Sequence, residues 1–148
     1  MRLGRALGLG LLLTVAALGG CGEDDDPPAR PAATTTTPSG EIELKIAFDD
    51  GSGMRKLGEL TCRDGEPRAT GDLFGGRSPA RLCAQARAIR ELLTTQPATD
   101  RVCTQIYGGP EQARITGTID GEKVDRRFTR TNGCEIADFN AAKGLLQP

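Results

Sequence analysis

The chain has 148 residues and a formal net charge of -1, with one Tyr, four Phe, five Cys and no His. That length suits a single domain. The lack of His excludes catalytic triads with an imidazole base and zinc sites built on His, so most hydrolase mechanisms are excluded. Scattered carboxylates give no specific support to a sugar-cleaving enzyme either. The chain is therefore not expected to be an enzyme.

The first 20 residues have the form of an export signal. Arg2 and Arg5 form a basic head, and the apolar stretch after them ends in small residues. This stretch is too short for a lasting membrane span, so residues 1–20 are predicted to be a signal peptide. The segment Leu18-Gly19-Gly20-Cys21 resembles the lipobox of bacterial lipoproteins, which implies lipidation of Cys21 and a membrane anchor. The alternative is ordinary secretion with Cys21 as a spare thiol.

Residues 21–40 are predicted to be a disordered linker. An acidic run from Glu23 to Asp26 is followed by a tract rich in Pro and Thr. Such a composition cannot build a core, and dense Pro makes a semi-rigid spacer. The remaining residues, 41–148, carry equal numbers of acidic and basic side chains. This neutral balance gives no electrostatic argument for a nucleic-acid partner.

The predicted domain begins with a hairpin. Apolar and polar side chains alternate over residues 41–48, a pattern that predicts a half-buried antiparallel strand. The apolar face consists of Ile42, Leu44, Ile46 and Phe48. A turn at 49–53 and a returning strand at 55–62 complete the hairpin.

A helix is predicted after the Gly- and Pro-rich residues 63–77, which are expected to form a loop. Ser78 suits an N-cap and Pro79 suits the first helical position. The helix is predicted to run to about Thr94. Its buried stripe would be Leu82, Ala86, Ile89 and Leu93.

The second half of the domain begins with a predicted loop at 101–110, which ends in Gly-Gly-Pro. A second hairpin is predicted over 113–119 and 122–128, because the Asp120-Gly121 pair suits a two-residue type I′ turn. A short helix is predicted from Glu135 to Leu146. These elements make the fold class α+β, a sheet with helices on one face.

Four cysteines remain in the domain, at positions 62, 83, 103 and 134. An even set in a small exported domain predicts two disulfides. The cysteines lack the Cys-x-x-Cys spacing of structural zinc sites, so neither a metal nor another cofactor is expected. Three pairings are open on spacing alone.

The chain resembles the Streptomyces subtilisin inhibitor family of bacterial protease inhibitors. The segments that carry the resemblance are 102–110, 115–124 with Phe128, and Asn132-Gly133-Cys134-Glu135, with weaker support around Cys62 and Cys83. The resemblance implies a five-stranded antiparallel sheet with two helices packed on one face. It also implies disulfides between neighbours in sequence, Cys62 with Cys83 and Cys103 with Cys134.

By the same resemblance, the chain would inhibit serine proteases, of the subtilisin-like or the trypsin-like class, through an exposed substrate-like loop. The loop residues would be Val102, Cys103, Thr104, Gln105, Ile106 and Tyr107. The scissile bond would join Gln105 to Ile106, and Asn132 would hydrogen-bond the loop backbone from behind. The residues alone favour another interpretation, in which Ile106 and Tyr107 belong to the core.

A second functional hypothesis keeps the scaffold without inhibition. It rests on the Gly108-Gly109 pair and on Gln105, whose side chain is neither charged nor large and apolar. The protein would then be a lipid-anchored binding or structural domain at the cell surface. Inhibitors of this family are often homodimers through the sheet, so a homodimer is expected by analogy alone.

Overall fold

The structure is a computed structural model that describes residues 40–63 and 65–147. The predicted signal peptide, Cys21 and the linker up to residue 39 lie outside the described residues. In chain order the elements are β1 (Ile42–Asp49), β2 (Arg55–Cys62), β3 (Arg68–Thr70), α1 (Pro79–Ala88), α2 (Arg90–Thr94), β4 (Gln112–Ile119), β5 (Glu122–Phe128) and α3 (Gly133–Leu146).

The strands form one five-stranded sheet in the order β3-β2-β1-β4-β5, with every neighbouring pair antiparallel. The central strand β1 buries the predicted face of Ile42, Leu44, Ile46 and Phe48. These side chains form one core with apolar residues of the helices. The expected α+β class and its five-stranded sheet are confirmed.

Both predicted hairpins are present. The first joins β1 to β2, with Ile42 opposite Cys62 and Asp49 opposite Arg55. The second turns at Asp120 and Gly121, whose φ values of 52° and 79° are both positive. A type I′ turn requires positive φ at both central residues, so the Asp-Gly pair marked this turn correctly.

The segment predicted as a loop at 63–77 contains a strand and two core residues. β3 pairs with β2 through Ala69 opposite Leu60, and Leu73 and Phe74 are buried. The backbone N–H of Leu73 donates to the carbonyl of Leu57 at 3.1 Å, which ties this stretch to β2. A three-residue strand is too short to show alternation, and the four Gly residues and one Pro of this segment are typical of a loop.

The predicted helix at 79–94 is broken at Ile89, whose φ of −109° and ψ of 20° leave the helical range. α1 packs on β2, β3 and α3, whereas α2 packs on β4 and β5. The break redirects the chain from one half of the twisted sheet to the other. Pro79 holds the first position as predicted, but the Ser78 side chain makes no capping hydrogen bond.

Two disulfides crosslink the domain. Cys62 bonds to Cys83 with Cα atoms 5.9 Å apart, which joins β2 to α1 inside the core. Cys103 bonds to Cys134 with Cα atoms 5.4 Å apart, which joins the 101–110 loop to the first turn of α3. Of the three pairings open on spacing, this is the one that the family resemblance implied. No helix in the described part of the chain has the length and apolarity that a membrane crossing demands.

Gly117 lies in β4 directly against the backbone of β1, with a φ of 137°. A Cβ at this position would lie 1.9 Å from the carbonyl oxygen of Glu43. Because that oxygen belongs to the strand backbone, it cannot move without breaking the β1–β4 pairing. We expect Gly117→Ala to lower the free energy of unfolding by about 2–3 kcal/mol, measured by urea denaturation.

Gly53→Ala is the control for Gly117→Ala, because it separates the steric clash from the energetic cost of a positive φ. Gly53 has a φ of 96°, and a Cβ there would meet no atom within 4 Å. Its substitution carries the backbone strain without the clash, so a smaller loss is expected. Equal losses for the two variants would contradict the steric explanation.

Candidate functional site

The segment between α2 and β4 is an extended loop with apolar side chains turned to solvent. Val102 is 100% exposed, Ile106 54% and Tyr107 69%. The interpretation of Ile106 and Tyr107 as core residues is therefore wrong. Apolar side chains gathered on a surface are typical of a site that contacts another molecule. Thr104 and Gln105 are exposed between them.

Three links hold this loop against the domain. The first is the disulfide from Cys103 to Cys134. Next to it, the backbone N–H of Gly133 donates to the carbonyl of Thr104 at 2.9 Å, and further along the N–H of Gly108 donates to the carbonyl of Arg130 at 2.8 Å. Gln105, Ile106 and Tyr107 therefore bridge two fixed points of backbone.

Close packing at two glycines keeps the loop near the domain. A Cβ on Gly133 would lie 2.1 Å from the Thr104 hydroxyl, and one on Gly108 would lie 2.8 Å from the Ile136 side chain. Because neither position has a Cβ, the loop lies this close to α3 without displacing the Thr104 or Ile136 side chain. The Gly108 end of the loop is thus packed against α3.

A chain of charged groups lies beneath the start of the loop. The Arg101 guanidinium donates to both oxygens of Asp138, at 2.8 and 3.3 Å. Asp138 also accepts from Arg126 at 2.9 Å, and Arg126 donates to the carbonyl of Leu92 at 3.1 Å. Arg126 is only 5% exposed. The Asp138 carboxylate therefore joins a buried cation in the sheet to the base of the loop.

Arg126 is not among the residues predicted for the site, although its position in the sequence carries a signal. Val124 and Phe128 are the apolar positions of the predicted strand, and Arg126 lies between them with the same period of two. A charge on the inward face of a strand must find a partner, since an unpaired buried charge is costly. The remote partner Asp138 could not be named from this pattern.

The Asn132 side chain caps a helix, a role that the resemblance did not imply. Its side-chain oxygen accepts from the backbone N–H of Glu135 at 3.0 Å, so it is the N-cap of α3. Among the described residues, no hydrogen bond joins the Asn132 side chain to the loop. The neighbouring N–H of Gly133 makes that contact instead. Asn132 thus supports the loop indirectly, by ordering the helix start that holds it.

The Glu135 carboxylate collects hydrogen bonds beside this cap. It accepts from the hydroxyl of Thr129 at 2.5 Å, from the hydroxyl of Thr131 and from the backbone N–H of Thr131 at 3.2 Å. The donation from Thr129, followed by that from Thr131, lowers the pKa of Glu135 below its usual value of 4.5. These bonds connect the end of β5 to the first turn of α3.

The lowered pKa of Glu135 predicts a pH dependence of stability. A carboxyl group with a lower pKa in the folded chain stabilises the fold above its unfolded value of 4.5. That stability is lost as the pH falls through the lower, folded pKa. We expect the thermal midpoints of wild type and Glu135→Gln to differ at about pH 7 and to converge at lower pH. Parallel midpoint curves down to about pH 2 would contradict this role.

A groove of about 530 Å³ lies between the start of the loop, β5 and the start of α3. Its charged lining includes Arg101, Arg126, Glu135 and Asp138, which already bond to one another or to neighbouring hydroxyls. Within residues 40–63 and 65–147, no three His, Cys, Asp or Glu side chains are placed to hold a metal ion.

No protein-family model matches the chain, and no curated protein matches its sequence significantly.

Proposed function

We propose that the protein is a serine protease inhibitor of the subtilisin-inhibitor type, which acts through the Gln105–Ile106 bond. One observation carries the proposal: the exposed residues 105–107 span two backbone anchors beside a disulfide. Such a loop needs no catalytic group of its own, and the chain acts as a binding protein.

Tight binding follows from the order already present in the loop. A flexible peptide loses conformational freedom when a protease binds it, whereas a loop held in place avoids most of that cost. A standard interface of roughly 1,600 Å² can then give strong inhibition. The anchors at Thr104 and Gly108 hold both sides of the bond, so its cut ends would stay close enough to rejoin.

The proposed roles of the loop residues follow their order along the chain. Val102 fills an apolar pocket of the protease, and Thr104 approaches the catalytic site. Gln105 enters the main specificity pocket, while Ile106 and Tyr107 contact the protease beyond the cleaved bond. The exposure of all five side chains is consistent with these roles.

The proposed place of action is outside the cytoplasm. Two disulfides suit an oxidising compartment. The signal-like residues 1–20 and the lipobox-like Cys21 support export and a lipid anchor in the membrane. The linker would then present the inhibitor to subtilisin-like proteases near the cell surface.

Titration of subtilisin and of trypsin with the full chain tests the proposal, with the chain followed by mass spectrometry. We expect stoichiometric inhibition of subtilisin and slow, single cleavage between Gln105 and Ile106. Gln105→Met is expected to tighten inhibition of subtilisin because a larger apolar side chain enters an apolar pocket, and Gln105→Lys to shift inhibition towards trypsin. Rapid fragmentation of wild type and both variants, without inhibition, would overturn the proposal.

A surface binding domain without inhibitory activity is the second candidate. Gln105 favours it, because the side chain offers a specificity pocket neither a charge nor a large apolar surface. Under this hypothesis, wild type fails to inhibit either protease. Inhibition at nanomolar concentrations would exclude it.

A further inference from the structure

The turn between β1 and β2 lies directly beside the far end of the loop. Gly51 is so close to Pro110 that a Cβ on Gly51 would lie 2.4 Å from the proline ring. The strand register agrees with this contact, since Asp49 pairs with both Arg55 of β2 and Gln112 of β4. The turn and the loop therefore meet at the same edge of the domain.

Hydrogen bonds within the turn hold its shape. The Asp50 carboxylate accepts from the backbone N–H and the hydroxyl of Ser52, at 2.8 and 2.7 Å, and from the N–H of Met54 at 3.3 Å. The N–H of Asp50 donates in turn to the carbonyl of Met54 at 3.2 Å. Met54 is 57% exposed on this ordered turn. A partner that contacts it would have little backbone to order.

The size of an inhibitor interface brings this turn within reach of the protease. A standard interface uses about 20–30 residues and about 800 Å² on each side, a patch of about 16 Å radius if circular. The loop from Arg101 to Pro110 is too short to fill it. Pro110 follows Ile106 by four positions, so it lies within about 14 Å along an extended chain. Pro110 therefore lies within the radius of a patch centred on the scissile bond, and Gly51 of the turn packs directly against it.

We infer that Met54 makes a second contact with the protease that the loop binds. The contact lies on the side beyond the cleaved bond, because Pro110 follows Ile106 in the chain. This inference rests on the proposed function. It adds the requirement that the inhibited protease have an apolar surface where Met54 makes contact. Met suits such a contact, since it is enriched at interfaces and its side chain adapts to different surfaces.

Leu57 provides a matched control. It is 56% exposed, close to the value for Met54, but it lies within β2 on the outer face of the sheet. The experiment measures the inhibition constants of the full chain, Met54→Ala and Leu57→Ala against subtilisin. The same three forms are compared in the Gln105→Met background. Weak binding of Gln105 in the specificity pocket then cannot hide the effect of Met54→Ala on the inhibition constant.

Met54→Ala is expected to raise the inhibition constant about tenfold, as for a buried interface side chain, and Leu57→Ala by less than about twofold. Unchanged inhibition by Met54→Ala, while the unsubstituted chain inhibits, would overturn this inference alone. So would equal losses from both variants, or dissociation of a homodimer by Met54→Ala with inhibition retained. Failure of every form to inhibit would overturn the proposed function and this inference together.

Discussion

Replacing Cys103 and Cys134 together with alanine is expected to turn the inhibitor into a substrate. The disulfide fixes the loop one residue before Thr104, so its loss frees the acyl side of the Gln105–Ile106 bond. Religation after cleavage would then compete poorly with release of the cut ends. The chain-entropy model also predicts a loss of about 3–4 kcal/mol in unfolding free energy for this loop length.

The measurement is residual subtilisin activity over time, together with the mass of the variant and its urea unfolding curve. Alanine at both Cys62 and Cys83 is the matched control, since that disulfide joins β2 to α1 away from the loop. It should lower stability by about 3 kcal/mol and leave inhibition in place under folding conditions. Lasting inhibition by the Cys103/Cys134 variant would show that the backbone anchors alone hold the loop.

Asp138→Ala is expected to lower the free energy of unfolding by about 3–5 kcal/mol, as when one partner is removed from a buried ion pair. Among the described residues, Arg126 would keep only the carbonyl of Leu92 as a hydrogen-bond partner, although its side chain is almost fully buried. Arg101 would lose its anchor at the start of the loop. Denaturant unfolding measures the first effect, and the inhibition constant measures the second.

Two further variants distinguish the effect of breaking the buried Asp138–Arg126 pair from the effect of removing any carboxylate. Asp125→Ala breaks an exposed pair in which Arg114 donates twice at 2.9 Å, and it should leave the unfolding midpoint almost unchanged. Adding Arg126→Met to Asp138→Ala removes the orphaned charge and should recover much of the lost stability. An Asp138→Ala variant as stable as Asp125→Ala would contradict the role of the buried pair.

Local patterns predicted the regular elements well. The alternation of residues 41–48 identified β1 and its buried face, and Asp120-Gly121 identified the tight turn. Both signals depend on neighbouring residues, because strand period and turn conformation are set by backbone sterics over a few positions. β3 was not predicted, because its three residues, between Pro67 and Gly71, are too few to show the alternation of a strand.

The candidate site was predicted in part. Its loop position and the disulfide at Cys103 came from a resemblance, and the structure contains that disulfide. In the structure the Asn132 side chain caps α3 and the backbone N–H of Gly133 holds the loop, so the direct contact between Asn132 and the loop stays a prediction. Side-chain chemistry alone does not distinguish a cap from a loop support, since an amide oxygen can accept from either backbone.

The sequence by itself determined the hairpins, the two longer helices, the even set of cysteines and the absence of imidazole chemistry, since composition and short-range patterns contain all of these. Only the tertiary structure decided which cysteines pair and that Asp138 meets Arg126. It also decided that Ile106 and Tyr107 face solvent and that the turn at Gly51 touches Pro110. Each of these depends on packing between segments remote in sequence, and no local period encodes such contacts.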